Sequence, residues 1–263
     1  MWVIGHRGAK GEAPENTIGG LRYALNRGIT CFELDVRLSA DGVPVVIHDP
    51  TTTRTTRKRA RVNRLSAGQL ANLNAARHER WSISEQIPQL VDVLPLLEQC
   101  DTVQLEVKCD RNVDPSQLLE GIREVLHGCP THHLVLTSSD SRTLQLAQSL
   151  LPGLRRGLVW ERRFGDVIAL SRRLDCHELV IQHRLLSPQL IGQAQAAGLV
   201  VSAYTINDLR RIRQLCDWGV DSIITDYPSK YLHLSVAPAI RSETGGALPL
   251  SPALAGSAVG ASA

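Results

Sequence analysis

Residues 31–49, CFELDVRLSADGVPVVIHD, carry the pattern on which the reading of the chain turns. Val, Ile, Leu and Phe give two arms strand propensity, and Ala40-Asp41-Gly42 supplies a turn between them. In the first arm Phe32, Leu34 and Val36 alternate with Glu33, Asp35 and Arg37. Successive side chains of a strand leave opposite faces, so Glu33 and Asp35 share one face and the apolar set takes the other. A loop of Ser39 to Gly42 would pair Leu38 with Val43 and set His48 opposite Glu33, so that two carboxylates and an imidazole converge. The simplest account is an edge hairpin with a solvated polar face. A second strand repeats the pattern: in Thr102 to Lys108, Val103, Leu105 and Val107 alternate with Gln104, Glu106 and Lys108. The question is whether these polar faces look at water or at each other.

The chain has 263 residues, enough for a large core and one or two domains. Its apolar and charged fractions are those of a globular protein, and a net charge of +3 gives no reason to invoke nucleic acid. No apolar run approaches the roughly 20 residues that span a bilayer, so no stable membrane anchor is expected. The apolar stretch WVIGH begins at residue 2 and leaves no room for a signal peptide, which points to the cytoplasm. Six cysteines without CxxC spacing read as reduced core residues. The oligomeric state is left open.

Outward from the hairpin, strands and helices alternate. Strand signals centre near residues 3, 34, 105, 135, 158, 180, 201 and 223, and the segments between them have helical period and caps, with Asn16 or Thr17 capping the first helix. Alternation of this kind implies parallel pairing with right-handed crossovers. Eight strands fit a closed α/β barrel, the (β/α)₈ TIM barrel. An open doubly wound sheet is the runner-up, but HRGAKGEAPENT lacks the glycine order of its first turn. The expected organisation is a barrel domain over residues 1–235, interrupted at about 49–88 by a small insertion. A disordered tail, rich in Ala, Gly, Ser and Pro, follows over 236–263.

Chemistry in such barrels sits at the C-terminal ends of the strands. His6 and Arg7 end the first strand, Glu106 and Lys108 the third, Tyr204 the seventh and Asp226 the eighth, with Glu33 and Asp35 toward the end of the second. Glu33, Asp35 and Glu106 then point into one mouth. Three buried carboxylates must be neutralised or protonated. A salt-bridge network with Arg7, Arg37 and Lys108 is the structural alternative. A divalent metal, Mg²⁺ or Ca²⁺ for an all-oxygen set, is preferred because two histidines, His6 and His48, surround the same carboxylates. Metal, paired imidazoles and cations together describe phosphoryl transfer. The basic run from Arg54 to Arg64 reads as a solvated face. Steering of anionic substrates is the weaker reading, and no aromatic residues interleave with the run as nucleic-acid binding would require. His183 and Gln182 read as structural.

HRGAKGEAPENT, FELDVRLSADGVPVVIHD, LEVK, YTIN and TDYP, in that order between residue 3 and about 229, resemble the glycerophosphodiester phosphodiesterase family. The resemblance implies a small-molecule glycerophosphodiester substrate, hydrolysed to an alcohol and sn-glycerol 3-phosphate. It implies metal ligation by Glu33, Asp35 and Glu106, acid–base roles for His6 and His48, and substrate contacts from Arg7 and Lys108. Many family members have Trp where this chain has Tyr204, which bears on the shape of the glycerol-side wall. Two alternatives stand beside this reading. A lysophospholipase-D-like or phospholipase-C-like activity would need an apolar lip, and a non-catalytic phosphodiester-binding barrel would lack a histidine or a carboxylate.

Overall fold

A computed structural model describes residues 1–76, 81–110 and 114–235. The tail expected over 236–263 lies outside the described residues, as do 77–80 of the insertion. Among the described residues there are nine strands: β1 (Trp2–His6), β2 (Cys31–Leu38), β3 (Pro44–Val46), β4 (Thr102–Val107), β5 (Leu134–Ser138), β6 (Arg155–Trp160), β7 (Glu178–Gln182), β8 (Val200–Tyr204) and β9 (Ser222–Thr225). Their order is β1-β9-β8-β7-β6-β5-β4-β2-β3, and β1 also pairs with β2. All neighbours except β2 and β3 are parallel. The sheet therefore closes on itself as an eight-stranded parallel barrel ringed by helices, with β3 as an antiparallel appendage. This is the (β/α)₈ TIM barrel expected from the strand count.

Period-2 alternation sorts the side chains. The main apolar core lies between barrel and helices and takes Phe32, Leu34, Val36, Val103, Leu105 and Val107 from β2 and β4. A smaller cluster of Ile4, Cys31, Val159, Val180 and Ile224 comes from the alternate strand positions, those that face the barrel axis. Every residue of β2 is buried, the polar set included. The solvated-face account of the hairpin is thereby excluded: Glu33 and Asp35 are only 4% and 1% exposed.

The hairpin register differs from expectation by one residue. Leu38 pairs with Pro44, Arg37 with Val45 and Val36 with Val46. Val43 is drawn into the turn with Ser39, whose N–H donates to the Val43 carbonyl and whose hydroxyl accepts from the Val43 N–H. Continued, this register would set His48 opposite Leu34 rather than Glu33. The strand stops at Val46 instead, and His48 lies on the bend that follows. Arg37 fixes that bend, its Nε donating to the His48 carbonyl at 2.6 Å.

The segment after His48 folds onto the outside of the hairpin. Short helices at Thr53–Thr56 and Ala67–Ala71 flank a loop tied by Thr52 N–H to Ala60 O and Val62 N–H to Pro50 O. Val62, Ala67, Leu70, Ala75 and Ile87 bury against Val45 and Ile47 as a second apolar cluster. Arg57, Lys58, Arg59, Arg61 and Arg64 are exposed, as a solvated face requires. Of the six cysteines, Cys31, Cys100 and Cys176 are buried, whereas Cys216 is exposed and so is not a core residue; all six are free thiols.

The first helix, Ile18–Leu25, starts at Thr17, whose hydroxyl accepts from Gly20 N–H at 3.0 Å. Asn16, the other candidate cap, takes a left-handed φ of 54° and turns its side chain to the barrel mouth instead. Ahead of it, β1 ends in a tight turn. A Cβ on Gly5 would stand 1.9 Å from the Gly8 carbonyl oxygen. Gly5→Ala must therefore push the His6-Arg7-Gly8 turn outward. It is expected to cost about 1–3 kcal/mol of stability and to lower turnover with it, read by thermal melts and steady-state rates on one preparation.

Candidate active site

Strand register brings the polar residues together. In β1, β2 and β4, His6 is the partner of Glu33, and Asp35 the partner of Glu106, so these side chains leave adjacent strands on the same side. Glu33, Asp35 and Glu106 each offer an oxygen, and the three lie within 4.8 Å of one another. Around them are Arg7, with Nε 3.3 Å from Asp35 Oδ2, and Lys108, with Nζ 2.6 Å from Glu106 Oε1 and 3.3 Å from Asp35 Oδ1. Asn16 Nδ2 donates to Asp35 Oδ2 at 2.9 Å, and the Arg7 backbone N–H to Glu33 Oε2 at 2.9 Å. The salt-bridge alternative is thus realised in part, by Arg7 and Lys108. Arg37 takes no part in it, pairing with Asp110 at 2.5 Å.

Two cations do not balance three carboxylates. Burial raises the Glu33 carboxyl well above its usual range, and the neighbouring Asp35 and Glu106 push it further. Burial also raises Glu106, against the pull of Lys108. Asp35 is equally buried, but Lys108 and Arg7 outweigh the burial and hold it low. Glu33 Oε1 is buried with no hydrogen-bond partner. A divalent cation fits this set: the donors are all carboxylate oxygens, they converge, one is orphaned, and the local charge is negative.

The two imidazoles are built alike. His6 Nδ1 lies 2.6 Å from Asp226 Oδ1, and Asn207 Nδ2 donates to the other Asp226 oxygen at 2.7 Å. His48 Nδ1 lies 2.7 Å from Asp49 Oδ1, and Arg54 Nε donates to the other Asp49 oxygen at 2.7 Å. Both aspartates are held down to about 2, against their burial, by hydrogen bonds from these partners. A carboxylate only accepts, so each histidine donates from Nδ1 and keeps Nε2 available. His6 Nε2 stands 3.9 Å from Glu33 Oε2. Burial lowers both histidines, His6 from a deeper position than His48. A neutral imidazole is then available at neutral pH, as the proton acceptor must be.

His6, Arg7, His48, Glu106 and Lys108 line one cavity of about 320 Å³, completed by Ser139, Val159, Glu161, Tyr204 and Thr205. Tyr204 is half-buried, and burial pushes its phenol up. His183 belongs elsewhere, against Arg211. All eight residues singled out in the sequence therefore border the mouth or the carboxylate cluster. Asp49 and Glu15 have no role in the sequence reading, where Asn16 is only a candidate helix cap and Arg54 only part of the basic run. An Asp directly after a candidate histidine is a visible signal. Asn16 and Glu15 sit inside the quoted HRGAKGEAPENT, and Arg54 was absorbed into the basic run.

Fold and mouth together define the class: a (β/α)₈-barrel enzyme of phosphodiester chemistry. The chain belongs to the glycerophosphoryl diester phosphodiesterase family, whose profile matches residues 6–230. A glycerophosphodiester phosphodiesterase of Caldanaerobacter subterraneus subsp. tengcongensis is 28% identical over 237 residues, spanning 88% of this chain and 96% of that protein. A phosphodiesterase from Oleispira antarctica, solved in complex with the product sn-glycerol-3-phosphate, superposes with a TM-score of 0.81 at 31% identity. The match covers 89% of this chain and 96% of that one. The glycerophosphodiester phosphodiesterase of Agrobacterium tumefaciens gives a TM-score of 0.74 at 28% identity, over 89% and 99% of the two chains.

Proposed function

We propose that residues 1–235, with the insertion at 49–88, form a metal-dependent catalytic unit that hydrolyses glycerophosphodiesters to an alcohol and sn-glycerol 3-phosphate. The observation that carries this reading is the pair of aspartate-tethered imidazoles lining one mouth with the carboxylate cluster. A divalent cation, Mg²⁺ or Ca²⁺, would be held by Glu33, Asp35 and Glu106, and when bound it supplies Lewis-acid polarisation and offsets developing negative charge. Arg7 and Lys108 border the same cavity and hold the phosphoryl oxygens. One imidazole accepts the proton of the substrate's own glycerol 2-hydroxyl as that oxygen attacks phosphorus. The other ring, which starts the cycle as imidazolium, gives its Nε2 proton to the leaving alcohol as the phosphorus–oxygen bond breaks. It then takes a proton from the water that opens the cyclic phosphate, while the first ring returns its proton to the glycerol oxygen. Tyr204 supplies an aromatic wall to the glycerol.

The test is turnover of glycerophosphocholine and glycerophosphoethanolamine by purified protein, with coupled detection of glycerol 3-phosphate. Activity is expected with added Mg²⁺ or Ca²⁺ and its loss on chelation. Failure to release glycerol 3-phosphate from either diester, with either ion, would overturn the reading.

A further inference from the structure

Arg54 stands apart from the basic run to which its sequence position assigns it. Like Arg57, Lys58, Arg59, Arg61 and Arg64 it is exposed, but its guanidinium also reaches two carboxylates that hold residues of the mouth. Nε donates to Asp49 Oδ2 at 2.7 Å. The two terminal nitrogens bind Glu15 in a fork, Nη1 to Oε2 at 2.5 Å and Nη2 to Oε1 at 2.8 Å. Glu15 Oε1 also accepts from Arg7 Nη1 at 2.9 Å, and Asp49 Oδ1 takes the Nδ1 of His48 at 2.7 Å. A continuous charged chain, His48–Asp49–Arg54–Glu15–Arg7, thus joins one imidazole to the buried arginine beside Asp35. Its middle member comes from the insertion and not from a barrel strand.

We propose that Arg54 is a positioning residue, which fixes His48 through Asp49 and Arg7 through Glu15 and so makes the insertion a working part of the site. The proposal rests on the roles given above to His48 and Arg7. The comparison with His6 explains why such a residue is needed. Asp226 has its second oxygen held by Asn207, close to β9, and His6 itself sits on a barrel strand. His48 lies on a bend beyond the end of β3, with no ladder to hold it. Its ring is oriented by one aspartate, and that aspartate's free rotation is stopped by Arg54. An isolated exposed ion pair contributes little, but this guanidinium makes three bonds to two carboxylates in a fixed fork. A lysine has one nitrogen on a flexible stem and cannot reproduce that geometry.

Two readouts on the full chain test this. The first is ¹⁵N NMR of the imidazoles in metal-free protein, which does not depend on turnover. Arg54→Ala is expected to move the His48 resonances and leave those of His6 in place. The second is kinetic. Arg54→Ala should lower kcat/KM for glycerophosphocholine by about 10- to 100-fold, the scale of losses from small misplacements of a site, and Arg54→Lys should not restore it. In an Asp49→Asn background the same alanine substitution should lower kcat/KM by clearly less than it does in the wild type, because the route through Asp49 is already cut and only the one through Glu15 remains. Unmoved His48 resonances would overturn the proposal, as would an undiminished kcat/KM effect in the Asp49→Asn background. If Arg54→Ala does not fold, Arg54→Lys is read by the same criteria. A wild type that hydrolyses no glycerophosphodiester would sink the functional reading, while the NMR result would still decide whether Arg54 holds His48.

Discussion

His6→Ala and His48→Ala are each expected to lower kcat by about 10²–10⁴-fold, the usual worth of general acid–base catalysis, with smaller effects on KM. Each ring is tied at Nδ1 to an ionised aspartate and borders the cavity that Arg7 and Lys108 also line. Neither ring is needed for the core: His6 and His48 are half-buried at the rim, and the barrel closes through backbone pairing of β1 with β9 and β2. Both variants should therefore fold. Because the two act as a unit, the double variant should be far less crippled than the product of the single losses. Steady-state kinetics on the three variants, with a thermal melt of each, checks this.

The second large effect separates the three carboxylates from one another. Glu106→Ala is expected to abolish turnover and the rise in melting temperature that Mg²⁺ or Ca²⁺ confers on the wild type. It should leave the metal-free protein about as stable as before, since it removes one of three repelling charges. Glu33→Ala should behave in the same way, with a modest loss from the Arg7 backbone N–H that Glu33 accepts. Asp35→Ala should differ. Asp35 is the carboxylate that Arg7, Lys108 and Asn16 all address, and it alone of the three is held low. Removing it leaves the buried Asn16 Nδ2 without its acceptor and loosens Arg7 and Lys108, which keep Glu15 and Glu106, and about 1–3 kcal/mol of stability should go with it. Melting curves of the three variants with and without either ion distinguish the patterns. A wild type whose midpoint ignores both ions would count against the metal site.

The barrel was legible because its signal is repeated: eight strand patterns separated by helical ones leave few topologies. The buried carboxylates were legible because alternation in two strands carried Glu33, Asp35 and Glu106 to one face, and parallel register kept them there. The route by which His48 arrives was not legible. Loop length fixes a hairpin's register, and recruitment of Val43 into the turn by Ser39 shifted the pairing by one. His48 still reaches the mouth, because Arg37 and Asp49 hold it on the bend after the strand has ended. Asp49 was hidden by the same error, since in a continuing strand it would have pointed away from His48. Arg54 and Glu15 were hidden for another reason. Their pairing spans 39 positions between a loop and a short helix, and neither propensity nor periodicity reports contacts of that kind.

In the proposed mechanism this mouth cleaves a phosphodiester with the substrate's own glycerol hydroxyl. A 2-deoxyglycerol phosphodiester of choline keeps the phosphate, the charge and the leaving group but lacks that nucleophile. Followed by ³¹P NMR with Mg²⁺ or Ca²⁺ present, wild-type protein should convert glycerophosphocholine to glycerol 3-phosphate by way of a cyclic phosphate and leave the deoxy compound intact. Hydrolysis of the deoxy compound at about the rate of the natural diester would contradict the account, because water would then be the attacking group.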